Sequence, residues 1–325
     1  VATISDVAAR AGVSTATVSR TLNGKSTVDP ELAARVVAAA QELGYHPNGL
    51  ARNLRRQETA VLALIISDVE NPFFTALARG VEDLAQMSGY SVVLCNSDEN
   101  TDKERRYLEV ALQERVAGVV LSPTGPATDV GMLRRLDTPV VAVDRPLAGT
   151  DGDQVLVDSR RAARDATRHL VAGGYRRVGC LSGPAGVRTA DDRLTGYLDA
   201  VGAENALYRR ARYRAEGARL AAGELLDLPV PPEALLIANS TMAIGVLEAL
   251  AARDLRPGRD VGLVSFDDAP WATLIDPPLT VVAQPAYEIG RVAAELLLAR
   301  IADGTRPAVT KTLDARLIER QSSHR

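Results

Sequence analysis

Between residues 60 and 302 the chain repeats one pattern: a short unbroken run of aliphatic residues, then a longer stretch with apolar positions at helical spacing. The runs are "VLALII", "YSVVLC", "GVVLS", "PVVAV", "RRVGCLS", "ALLIA", "VGLVSF" and "LTVVAQ". Helical stretches fall at 73–88, 101–115, 159–172, 190–202, 240–253 and 286–302. Strands covered on both faces read as continuous apolar runs, and their alternation with helices marks parallel sheets. About eight to ten such strands exceed one usual sheet, so the pattern predicts two sheets with a cleft between them.

The N-terminal segment follows a different rule. Thr3 is placed to cap a helix in which Ile4, Val7, Ala8 and Ala11 share a face, with Asp6 where a capping box needs an acid. Gly12 ends that helix, and Ser14 caps a second, "TATVSRTLN", with Val18 and Leu22 turned inward and Asn23 and Gly24 closing it. Asp29 and Pro30 open a third, whose apolar stripe is Leu32, Val36, Ala40 and Leu43. The result is an all-α helix-turn-helix head. Any short bundle shows such a pattern, but the second helix carries few large apolar residues and presents Thr15, Ala16, Thr17, Ser19 and Arg20. Hydroxyls with one arginine suit a helix in the major groove, where an arginine grips guanine O6 and N7. "NGKS" at 23–26 resembles the end of a P-loop, but the first glycine of that motif would fall at Ser19 and no strand precedes it.

Charge sharpens this division. Residues 1–57 hold seven Lys/Arg and four Asp/Glu in a chain of net charge −3, which leaves −6 on residues 58–325. A basic head on an acidic body implies a local site for a polyanion. At the junction lies "HPNGLARNLRRQ". There Asn48 can cap a short helix, Leu50 and Leu54 share one face, and Arg52, Arg55 and Arg56 can reach phosphates. The plainer alternative packs the leucines on the body. Cys95 and Cys180 each end an apolar run and read as reduced, buried thiols. The N-terminus lacks the pattern of a secretory signal, and "AVLALII" is far short of the roughly 20 residues that span a bilayer. A cytoplasmic protein with no membrane partner is expected.

In parallel sheets with a cleft, ligands bind outside the carboxyl ends of the strands. The residues there are Asn71, Pro72, Phe73 and Phe74, then Asp144 and Arg145, Thr189 and Arg193, Asn239 and Ser240, and Asp267 and Asp268 followed by Trp271, the only tryptophan. Acids, an arginine, an amide and aromatic faces together suit a small polar ligand with apolar faces, a sugar or nucleoside. Each residue also has a plainer use: Phe73 and Phe74 in the core, Asp144 and Asp267 as caps, Trp271 at a packing face. The three histidines, His46, His169 and His324, lie in no catalytic pattern, and G-x-S-x-G, H-E-x-x-H, C-x-x-C and G-x-G-x-x-G are all missing. The reading is a binder, neither an enzyme nor a user of a cofactor or metal. A solute-binding protein would account for the body alone.

"TISDVAARAGVSTATVSRTLNG" and "VDPELAARVVAAAQELGYHPNGLARNLR" resemble the N-terminal module of the LacI/GalR family of bacterial transcription repressors. "DVENPFF", "VVAVDRP", "SGPAGVRTADDRLTGY", "GLVSFDDAPWATLIDPPLTVVAQP" and "RLIERQS" are similar, in order, to that family's regulatory domain, whose fold is shared with periplasmic sugar-binding proteins. The resemblance implies a helix-turn-helix domain at 1–47, a hinge helix at 48–57 and an effector-binding, dimerising body at 58–325. The body would divide into subdomains of about 58–157 with 286–312, and about 158–285 with 313–325. It further implies a homodimer on a palindromic double-stranded operator, with Leu54 wedged between base pairs at the operator centre. The DNA-binding set expected is Thr3, Ser14, Thr15, Ala16, Thr17, Ser19, Arg20, Asn23, Asn48, Leu50, Ala51, Arg52, Leu54 and Arg55. The effector set implied is Phe73, Phe74, Asp144, Thr189, Arg193, Asn239 and Asp267, with Tyr213 and Trp271 as stacking groups. A small carbohydrate is the expected effector, and a nucleoside or purine the alternative. Ser240 stands where the family usually shows Asp.

Overall fold

The computed structural model describes residues 2–22, 28–45, 59–149 and 152–325. Its contacts separate two units, Val1–Thr59 and Ala60–Arg325. Asn23 and the junction residues Asn48, Leu50, Ala51, Arg52, Leu54 and Arg55 lie outside the described residues.

The head has three helices, α1 (Ile4–Ala11), α2 (Thr15–Leu22) and α3 (Pro30–Glu42). Thr3 and Asp6 form the capping box, and the Ser14 hydroxyl accepts the Thr17 N–H at 3.1 Å. Asp29 accepts the amides of Glu31 and Leu32. Val7, Ala8, Ala11, Val18, Val36, Ala39 and Ala40 make the core. The expected stripe on α3 is corrected at its end, because Leu43 is 36% exposed. Gly44 turns left-handed there (φ +59), the Tyr45 N–H donates back to the Ala40 carbonyl, and Tyr45 packs on the cluster in place of Leu43.

The body holds two six-stranded sheets. The first comprises β1 (Val61–Ile66), β2 (Ser91–Asn96), β3 (Gly118–Leu121), β4 (Val140–Val143), β5 (Asp153–Val157) and β11 (Thr310–Leu313), in the order β11-β5-β4-β3-β1-β2 and parallel throughout. The second comprises β6 (Val178–Ser182), β7 (Leu207–Arg210), β8 (Ala234–Ile237), β9 (Gly262–Phe266), β10 (Thr280–Ala283) and β12 (Arg316–Ile318), in the order β12-β10-β9-β8-β6-β7. Only the edge strand β12 runs antiparallel.

Helices cover both faces of each sheet, as the apolar runs require. On the first sheet α4 (Pro72–Met87) and α11 (Ala286–Ala302) bury one face, while α5 (Thr101–Gln113) and the short α6 (Gly131–Arg135) bury the other. On the second, α7 (Ser159–Ala172) and α8 (Arg188–Val201) cover one face, and α9 (Ala215–Leu226) and α10 (Ser240–Ala251) the other. The α4–α11 crossing depends on glycine: a Cβ on Gly80 would sit 2.0 Å from the Tyr287 carbonyl oxygen, and one on Gly290 2.0 Å from that of Leu77. The chain passes between the sheets three times, after β5, after β10 and after β11.

Candidate functional site

The carboxyl ends of β1, β2, β4, β6, β7, β8, β9 and β10 deliver their following residues to one buried cavity between the sheets. It is lined by Asp68, Asn71, Phe73, Phe74, Glu99, Asp144 and Arg145 from the first half and by Thr189, Arg193, Tyr213, Asn239, Asp267 and Gln284 from the second. Eight of the nine sequence-derived effector residues are therefore together. Trp271 is not. It lies in the 3-10 turn Pro270–Thr273 and packs against the α9–α10 core, because the chain turns away from the cleft at Pro270.

Local rules fix each side chain. Asn71 caps α4 by accepting the Phe73 N–H at 3.0 Å, and Pro72 sets the first turn. Phe73 and Phe74 then meet edge to face, with centroids 5.0 Å apart. Thr189 and Arg193 are four apart on α8 and share its inner face. Asn239 caps α10 with its side-chain oxygen, which accepts the Met242 N–H at 2.8 Å, so its amide NH2 is left for the cavity. Gly183 makes room for Tyr213: a Cβ there would stand 2.3 Å from the tyrosine ring.

The electrostatics are those of a site built around two acids. Burial pushes the carboxyl groups of Asp144 and Asp267 above the ordinary range, against the pull of Arg145 and Arg193 on the first and of Arg193 and Gln284 on the second. Gln284 donates to Asp267 at 2.7 Å. Arg145 grips Glu99 bidentately, at 2.8 and 2.6 Å, and also donates to the Pro123 carbonyl. Burial would lower the Arg145 pKa, but Glu99 and Asp144 more than reverse this, so the guanidinium stays charged. Arg193 donates to the Ala238 carbonyl and lies over the Phe266 ring, 4.1 Å from its centroid. Its Nε is buried without a hydrogen-bond partner, as is the Tyr213 hydroxyl on the cavity wall. Buried donors left open at a cavity call for a polar ligand.

Asp68, Glu99 and Gln284 were missed in the sequence, and Asn71 and Arg145 were seen at strand ends without joining the effector set. All five obey the same strand-end rule. Glu99 and Gln284 sit three residues past β2 and one past β10, and that position was the available signal.

In the head, Ser14, Thr15, Ala16 and Arg20 are exposed around the start and one face of α2, with Thr17 and Ser19 half-buried and Thr3 exposed at the cap of α1. Val18 alone of α2 is fully buried. Among the described residues no cluster of His, Cys, Asp or Glu is arranged to hold a metal, and no helix is long and apolar enough to cross a membrane.

A helix-turn-helix head joined to a two-sheet body with a polar cleft defines a DNA-binding regulator that answers to a small-molecule effector. Residues 3–48 match the bacterial regulatory proteins of the lacI family, and residues 167–323 match the periplasmic binding protein-like domain. The ribose operon repressor of Bacillus subtilis (strain 168) is 36% identical over 300 residues, covering 91% of both chains. The HTH-type transcriptional repressor CytR of Escherichia coli (strain K12) is 32% identical over 328 residues, 99% of this chain and 96% of that one. Among solved structures, the Lac repressor dimer bound to operator and the anti-inducer ONPF superposes with a TM-score of 0.88 at 25% identity, over 100% of this chain and 99% of that one. The chain belongs to the lacI family of bacterial regulatory proteins.

Proposed function

We propose that this regulator represses transcription by binding a palindromic operator as a homodimer, and that its effector is D-ribose or a closely similar pentose. The observation that carries the effector reading is the pairing of two buried carboxylates, Asp144 and Asp267, with open N–H donors on Arg193 and Asn239 around a cavity walled by Phe73 and Phe74. Carboxylates accept from sugar hydroxyls, Arg193 and Asn239 donate to sugar oxygens, and the rings cover C–H faces. The kinship with a ribose operon repressor supports the same choice. The cavity measures about 20 Å³, little more than the space of one water. The halves must part to admit any sugar, and a pentose asks for less room than a purine nucleoside.

On DNA, α2 would lie in the major groove with Thr15, Ala16 and Arg20 toward base edges, and Ser14, Thr17, Ser19 and Thr3 toward phosphates. Residues 48–57 would form the hinge helix, with Leu54 in the minor groove and Arg52 and Arg55 on the backbone. Effector binding would alter the closure of the halves and, through the hinge, the spacing of the heads.

The site reads as a binder's, not an enzyme's. One grouping has the outline of a catalytic triad: Ser323 Oγ is 2.8 Å from His169 Nε2, and His169 Nδ1 is 3.6 Å from Glu319. Ser323 is 1% exposed and also bonded to Thr280, so it fastens the C-terminal segment to the second sheet instead of facing a substrate.

Thermal melts with D-ribose, other pentoses, hexoses, nucleosides and purines test the effector. A ligand at 100 times its Kd adds about 2.7 kcal/mol, and stabilisation by a purine with none by D-ribose would overturn the pentose assignment.

A further inference from the structure

At the mouth of the cleft one arginine reaches from the second half to three acids of the first. Arg214 lies in the segment between β7 and α9, next to the cavity residue Tyr213. Its Nη1 is 2.7 Å from Asp68 Oδ2 and 3.4 Å from Glu70 Oε2, and its Nη2 bonds Asp98. Among the described residues, every ion pair that joins the two sheets away from their crossover segments uses Arg214.

We propose that Arg214 is an electrostatic latch that holds the two halves of the body together over the cleft, and that its release is a step in effector entry. The proposal goes beyond the identity of the effector and does not depend on it.

Three features argue for a latch over an ordinary surface pair. The first is asymmetry of burial. Asp68 has only 5% of its side chain exposed, so it is largely shielded from water, while Arg214 is 34% and Asp98 47% exposed, so the contact stays open to salt and Arg214 can be drawn out. A pair half in solvent contributes modestly, which suits a contact that must break. The second is local backbone. Asp98 and Glu99 both hold left-handed conformations, φ +60 and +55, after β2. This turn sends neighbouring acids to different tasks: Asp98 to Arg214 across the cleft, Glu99 to Arg145 on its own side. Non-glycine residues take that conformation only where the surroundings hold it.

The third is that each acid keeps something when the latch opens. Asp98 lies 3.9 Å from Lys103 of α5, Asp68 Oδ1 accepts the Glu70 N–H at 3.0 Å, and Glu70 is already 79% exposed. Opening therefore strands no buried charge without a partner. A contact of this kind closes a cleft 20 Å³ in volume and yields to a ligand that pulls the halves into a new register.

The test is the distance between spin labels on the two lips, with no sugar added. Labels go on Asp102→Cys and Ala185→Cys, both exposed, in the full chain with Cys95→Ala and Cys180→Ala. Electron–electron resonance distances are then recorded at low and high KCl, where the Debye length falls from about 10 Å at 0.1 M to about 3 Å at 1 M. With Arg214 in place, the short-distance population should dominate at low salt and shrink at high salt. Arg214→Gln should lose it at both, and Arg214→Lys should recover part of it. Asp98→Asn is a second variant that leaves Arg214 and the buried Asp68 untouched, and it should weaken the population less than Arg214→Gln. Identical distributions for the parent and Arg214→Gln at low salt would overturn the proposal. Failure of D-ribose to bind would bear only on the effector.

Discussion

Asp144 and Asp267 hold corresponding places in the two sheets: each follows a strand's carboxyl end in a left-handed conformation, φ +64 and +71, and each is drawn on by the guanidinium of Arg193. Asp98 and Glu99 share that conformation, so four of the seven non-glycine residues with positive φ among those described follow strand ends at the cleft. The strain gathers where the ligand is proposed to bind.

Removing one partner from this arrangement should silence the effector without touching the head. Arg193→Met or Asp267→Ala is expected to lower effector affinity roughly ten- to a hundredfold, from about 1.5–3 kcal/mol for a hydrogen bond to a charged group. Operator affinity in a gel shift without effector should stay unchanged. Retained release or retention of operator by effector at parental concentrations would place the site elsewhere.

The same acids should give the protein a recognisable pH dependence. Burial holds Asp144 and Asp267 above the ordinary carboxylate range, so the folded protein binds protons that the unfolded chain has released. Each therefore subtracts stability as pH rises from the ordinary carboxylate range through its raised value. Asp267→Asn should melt above the parent at about pH 8, with the gap closing toward about pH 4. A gap that widens on acidification would reverse the sign.

Two substitutions examine the DNA side. Arg20→Ala should weaken specific binding by about 1–3 kcal/mol and relax one operator position, whereas a phosphate contact would lose affinity evenly across sequences. Leu54→Ala should reduce operator affinity and bend together; parental affinity and bend in a circular-permutation gel assay would dismiss the hinge role.

The α4–α11 crossing offers a test of the fold itself. Gly80→Ala puts a methyl against the Tyr287 carbonyl and should destabilise the protein by about 1–3 kcal/mol in urea. Gly125→Ala, with nothing within 4 Å of the added carbon, should be near neutral.

Much of what was legible in the chain came from buried elements, although the edge strand β2 was read from "YSVVLC" with Val93 and Leu94 exposed. The apolar runs of β1, β3, β4, β6, β8 and β9 announced themselves because both faces are covered. The segments β7 "LYRR", β11 "TKTL" and β12 "RLI" did not: they lie at sheet edges and carry charge, β7 and β12 alternate in exposure, and β11 is exposed at three of its four positions. Helix α9 went unread because "AEGARLAAGELL" is rich in alanine and holds two glycines, so its period is faint. The strand-end rule gathered most of the cavity from position alone, but position could not tell that Trp271 turns away or that Glu99, on a left-handed turn, reaches inward to Arg145. Arg214 was invisible, since nothing in "RYRAEG" says which acids lie opposite.

The passage of the chain between the sheets sets an order of assembly. The second sheet has five of its six strands once residue 283 has been made, whereas the first must wait for α11, which buries one of its faces, and for β11 at residues 310–313. During synthesis β1 to β5 emerge first and are finished late, with Leu62, Leu64, Ile66 and Val120 facing a gap that Ala293, Ala294 and Leu297 later fill. A ribosome stalled before residue 286 would carry a half-covered sheet, the part of the nascent chain most in need of a chaperone.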